Sequence, residues 1–130
     1  MDAPEVLREI YRRFGAGDFD GVVDLCQPDC CFTVMPGNDY NRFAGVFQSP
    51  SEMMARQKSI MADFVYDRFE PVDIFGSADK AAARIAVTLT SNRTGESIEA
   101  ELAHLITLRD GKVAAYYEYY DTDRFVRAGV

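Results

Sequence analysis

The 130 residues carry 21 acidic and 14 basic side chains, a net charge of −7, with 48% apolar and 27% charged residues. That is the balance of one globular domain spanning 1–130, long enough to bury about two-thirds of its unfolded surface. The nearest thing to a basic cluster is a scattered pair such as Arg12–Arg13, which argues against nucleic acid as a partner, and no run approaches the ~20 apolar residues of a membrane span.

The N-terminus begins acidic and turns amphipathic, unlike a secretory leader, so a cytoplasmic protein is expected. Cys26, Cys30 and Cys31 are odd in number and close together, and read as reduced thiols filling small apolar sites. The single histidine, His104, is far from them in sequence. Neither a metal nor another cofactor is expected.

Asp2 and Glu5 have capping-box spacing, and Val6, Leu7, Ile10, Tyr11 and Phe14 follow at helical intervals until Gly15 and Gly17. Asp18 caps a second short helix with Phe19, Val22, Val23 and Cys26 inward, stopped at Pro28. The apolar run 30–34 predicts a first strand, and 35–48 a long loop of the kind that often carries function. Ser49-Pro50-Ser51-Glu52 opens a third helix carrying Met53, Met54, Ile60 and Met61. From Phe64 the period becomes two, predicting strands at 64–75, 80–91, 97–109 and 112–121 joined by glycine-containing turns. The expected fold class is α+β: a curved antiparallel sheet, a cone-like α+β barrel, with three N-terminal helices on its concave face around an apolar pocket.

Two segments carry a family resemblance: "REIYRRFGAGDFDGVVDLCQPDCCFTVMPG" (8–37) and "GKVAAYYEYYDTDRF" (111–125). With the element order, they resemble the nuclear-transport-factor-2-like superfamily, and within it the SnoaL-like and ketosteroid-isomerase-like group. The last strand also resembles that of limonene epoxide hydrolases. The resemblance implies an isomerase, cyclase or hydrolase type of activity without a cofactor, although such folds also serve non-enzymes. Ketosteroid isomerases place a tyrosine, an aspartate base and a second acid where this chain has Ile10 (Tyr11 comes one residue late), Met35 and Ala103. The epoxide hydrolase water holders fall on Phe32 and Val34. Its arginine falls on Arg84, with Ala86 for the acidic companion, and its last-strand aspartate on Glu118. Both activities in the strict sense are therefore not expected.

The resemblance puts Tyr116, Glu118 and Tyr120 on the cavity side of the last strand. Glu118 is the expected catalytic carboxylate and Arg84 its expected cavity partner, the alternative for Arg84 being an exposed edge position. Ile10, Phe14, Phe32, Val34, Ala103, His104, Tyr116, Tyr120 and Tyr40 are the expected ligand contacts. The alignments disagree on the face of His104, which suggests a bulge in its strand. Tyr117 and Tyr119 on the outer face fit a homodimer interface. Asp121 reads as a cap for the following residues or as a pocket-rim group.

Two main function classes follow, beside a third, a partner-protein interaction domain that an exposed apolar patch remote from the dimer face would mark. One is a cofactor-free acid–base enzyme acting on a small apolar or cyclic metabolite, marked by an apolar cavity with Glu118 and Arg84 in contact. The other is a ligand-binding or dimerisation module, marked by a cavity filled by Phe32, Met35 and the methionines with Glu118 in solvent.

Overall fold

The structure is a computed structural model that describes residues 1–35 and 43–127. Its elements are α1 (Ala3–Gly15), α2 (Phe19–Asp24), β1 (Cys26–Val34), β2 (Gly45–Phe47), α3 (Pro50–Asp63), β3 (Phe64–Gly76), β4 (Lys80–Ser91), β5 (Ser97–Arg109), β6 (Lys112–Tyr120) and α4 (Thr122–Arg127). No helix among the described residues is long and apolar enough to cross a membrane.

The strands form one sheet in the order β2-β1-β6-β5-β4-β3. The α+β class holds, but the expected cone-like barrel does not. β2 and β3 are unjoined edges, so the sheet is open rather than a strongly curved, closed wall. Nor is it all antiparallel, because β1 runs parallel to β6. Only the meander β3 to β6 has the sequential antiparallel pairing that its short turns dictate. The tightest is Asp110–Gly111: both residues have positive φ (51° and 78°), the conformation a two-residue hairpin requires and glycine tolerates.

Among the described residues the three expected N-terminal helices are joined by a C-terminal fourth. α1 forms where its caps and periodicity place it, with Asp2 accepting the Glu5 N–H at 2.9 Å. Its apolar stripe of Val6, Leu7, Ile10 and Tyr11 is buried over β3, β4 and β5. α3 is capped by Ser49, while Glu52 reaches back to the Gln48 N–H at 2.6 Å. The C-terminal α4 starts at Thr122, where Asp121 accepts the Arg124 N–H at 3.1 Å, so Asp121 acts as the cap.

β1 begins at Cys26, four residues before the expected start, because Gln27–Cys30 bulge out of register and the strand resumes at Cys31. Arg109 stitches this bulge, accepting from the Gln27 side chain on its carbonyl and pairing with Asp29 at 2.7 Å. The bulge turns Cys30 into the core with Cys26, and Cys31 is half-buried. The core lies between the helices and one sheet face, where Ile85, Val87, Leu89, Leu102, Ile106 and Val113 alternate with outward residues.

Candidate active site

β5 and β6 are in register as Ile106↔Tyr116, His104↔Glu118 and Leu102↔Tyr120, so these six side chains share the inner face. The β5–β6 irregularity falls at Thr107/Leu108, beyond His104, whose own pairing is regular. His104 thus faces inward. Its Nε2 is 2.9 Å from Glu118 Oε1, and its Nδ1 is 2.7 Å from both the Tyr116 and the Tyr11 hydroxyls.

The second Glu118 oxygen, Oε2, accepts from Arg56 at 3.3 Å. Arg56 comes from α3, and its guanidinium also donates twice to the Phe43 carbonyl, at 2.7 and 3.1 Å. One residue on, Gln57 donates to the Tyr66 hydroxyl at 3.0 Å. A carboxylate, a guanidinium and an imidazole are thus buried together, each with hydrogen-bond partners, as their desolvation demands.

Burial pushes the Glu118 carboxyl up, but the Arg56 charge and the His104 hydrogen bond outweigh it and hold the group down at about 2. Glu118 is therefore a carboxylate at neutral pH and can only accept, so His104 carries its proton on Nε2. When the ring is neutral, Nδ1 offers one lone pair to two phenols. Burial raises the titration of both Tyr11 and Tyr116, which keeps these hydroxyls protonated as donors. One donates to Nδ1, leaving the other to donate to its neighbour's oxygen or to a ligand.

The chain of groups ends in a cavity of about 60 Å³ lined by Ile10, Tyr11, Phe14, Phe32, Met53, Tyr66 and Phe69 around His104, Tyr116 and Glu118. A further void of about 20 Å³ lies on the other side of Glu118, against Arg56, Tyr120 and Phe125.

Of the expected contacts, Ile10, Phe14, Phe32, His104, Tyr116 and Glu118 line the first cavity, and Tyr120 lines the second. Val34 is buried but lines neither, and Ala103 points to the opposite face from His104. Tyr40 lies outside the described residues, as do Asp39 and Asn41. Arg84 requires correction: β4 alternation turns it outward, where it is about half exposed and pairs with Asp73 at 3.0 Å and Glu101 at 3.1 Å. The cation on Glu118 is Arg56 instead.

Sequence reasoning missed Arg56, Gln57 and the role of Tyr11. The signal for the first two was the interruption at 56–57 of an α3 stripe running from Met53 to Ile60. Tyr11 was set one residue out of place by alignment, yet α1 buries both Ile10 and Tyr11 on the cavity side. Among the described residues, no three of His, Cys, Asp and Glu gather as a metal-binding group.

The profile of the SnoaL-like domain family matches residues 7–116. Solved structures agree on the fold. An NTF2-like protein from Burkholderia thailandensis superposes with a TM-score of 0.87 at 21% identity, covering 100% of this chain and 99% of that one. An NTF2-like protein of unknown function from Burkholderia pseudomallei gives 0.84 at 20% identity, covering 95% and 93%. TerC, crystallised with polyporic acid, gives 0.79 at 22% identity, covering 96% and 97%. A search of curated proteins found no match to the chain. With residues 7–116 matched to its profile, the chain belongs to the SnoaL-like domain family.

Proposed function

We propose that the protein is a cofactor-free acid–base enzyme for a small apolar, ring-bearing metabolite, with His104 as the base. The observation that carries this reading is the buried series Arg56, Glu118, His104 and the Tyr11–Tyr116 hydroxyl pair, ending in an apolar cavity. Held near 2 and enclosed by two partners, Glu118 is too weak a base for neutral pH. Its part is to fix the His104 tautomer and to stabilise the imidazolium that forms, as the acid does in a triad.

A substrate hydroxyl or enolisable carbon–hydrogen bond would pass its proton to one tyrosine oxygen as that tyrosine's own proton moves to Nδ1. The second hydroxyl would stabilise the oxygen left negative. One proton moves onto His104, and one negative charge is left on the substrate. The family's association with cofactor-independent isomerase, cyclase and hydrolase types supports the reaction class. TerC's co-crystallisation with polyporic acid supports a ring-bearing ligand.

The test is a turnover screen of cyclic ketones, enols and phenolic metabolites with the wild type, His104→Gln and Glu118→Gln. Any substrate found should lose about a hundredfold or more in kcat with both variants, the range for general acid–base groups. A variant with intact turnover would refute the assignment. The sequence markers for the two function classes do not decide the matter, since Glu118 is neither on Arg84 nor in solvent. The cavity's small volume favours the second reading, a binding module without chemistry, which would show binding of the same compounds without turnover.

For the assembly, a homodimer through the outer sheet face is proposed. Tyr117, Tyr119, Leu105 and Phe75 support it, exposing 39%, 41%, 44% and 65% of their surface on that side.

A further inference from the structure

A cavity of about 60 Å³ is too small for the proposed substrate. Small-molecule sites span about 300–1,000 Å³. Directly against it lies a groove of about 480 Å³ between the end of α1, the end of α3 and β3. Tyr11, Phe14, Tyr66 and Phe69 line both spaces, so their rings stand between the two.

That wall is assembled by a local irregularity. β3 has one extra residue at Asp67, between the Tyr66↔Leu89 and Arg68↔Thr88 pairs. Without it, strand alternation would turn Phe69 away from the Tyr66 face; with it, both rings point inward. Phe14, on the last turn of α1, meets both: its ring is 5.2 Å from Phe69 and 6.0 Å from Tyr66, centroid to centroid. Tyr66 is 6.1 Å from Phe69. These contacts are between side chains of separate elements, and Phe14, Tyr66 and Phe69 are only partly buried. Rotamer changes of exposed side chains take ps–ns and need no movement of the backbone.

The far side of the groove is apolar and exposed. Met61 is 42% and Val65 48% exposed, and none of the groove's lining side chains is charged. We infer that this groove is the second half of the binding site, taking an uncharged apolar extension of a ligand whose oxygenated ring reaches His104 past the Phe14–Tyr66–Phe69 wall. The inference rests on the proposed role of His104 for the ring end only. The ligand class is thus an elongated one, a hydroxylated or keto ring bearing an alkyl chain or second ring.

Calorimetric titration of the full chain with phenol and with 4-hexylphenol tests it. The hexyl compound should bind at least a hundredfold more tightly, since each buried methylene contributes about 0.8 kcal/mol. Met61→Glu, at an exposed position that tolerates charge, should shrink that ratio about tenfold. A ratio that ignores Met61→Glu, or no preference for the hexyl chain, overturns the inference. His104→Gln should weaken both probes alike. If it weakens neither while the ratio still responds at position 61, the role of His104 fails and the groove stands. Phe14→Ala should let the rigid 4-phenylphenol bind about tenfold more tightly than it does to wild type, and no gain there counts against a passage through this wall.

Discussion

Replacing Arg56 with methionine removes the one side-chain cation that the described residues bring against Glu118. The side chains of Arg56 and Glu118 are 8% and 11% exposed, so solvent cannot take over. In the wild type the folded Glu118 titrates at about 2 against 4.5 for the free group. At 1.36 kcal/mol per unit that difference is worth about 3 kcal/mol of stability. The contribution is fully present above the unfolded value and is lost as the pH falls through 4.5 towards 2. In Arg56→Met, burial becomes the dominant influence and the carboxyl titrates higher. The variant should therefore be about 3–5 kcal/mol less stable at pH 7, the usual cost of breaking a buried pair, with most of the deficit gone near pH 3. Urea unfolding followed by circular dichroism at both pH values measures it, and Arg56→Met/Glu118→Gln should recover part of the loss at pH 7. A deficit that is equal at both pH values, or a double variant no better than the single one, would show that Arg56 contributes packing rather than charge.

Arg84→Ala should leave the urea midpoint and any turnover nearly unchanged, because its partners Asp73 and Glu101 are solvated; a large loss of activity would place Arg84 in the site after all. Asp2→Ala, which removes the α1 cap, should cost about 1 kcal/mol and lower Tm by a few degrees in a thermal melt. Ile85→Ala, at a fully buried β4 position, should cost about 2–5 kcal/mol by chemical denaturation. Tyr119→Arg should shift the protein towards monomer in sedimentation velocity, and an unchanged distribution would remove the outer sheet face as the dimer surface.

The meander was legible because alternation and short turns are local signals, and β3 to β6 follow them almost to the residue. The parallel β1–β6 pairing was not, since nothing local in Cys26–Val34 encodes a partner at the other end of the chain. The three-residue β2 is too short for any period, and α4 hides behind the tyrosine-rich end of β6. In the site, strand parity set Tyr116 and Glu118 on one face and Tyr117 and Tyr119 on the other, and the resemblance turned the first pair inward, where the structure buries it. Parity also gives the correct answer for Arg84. It lies between the inward Ala83 and Ile85, but analogy with an arginine elsewhere overrode that reading. His104 stayed ambiguous because alignments at low identity slip by one residue, and one residue reverses a strand's faces. Arg56 reaches Glu118 from a different layer, a relation that no spacing along the sequence expresses.

The parallel seam between β1 and β6 also bears on how the molecule comes into being. β1, with the aromatic Phe32 on its inner face, is synthesised before its partner strand, and β2 to β5 lie between the two. Until β6 arrives, β1 has only the short β2 beside it, and Glu118 and Tyr116 are missing from His104. Closing so long a loop is slow, as in other folds dominated by distant contacts. The ionic network and the fold should therefore be completed in the same step, when β6 docks.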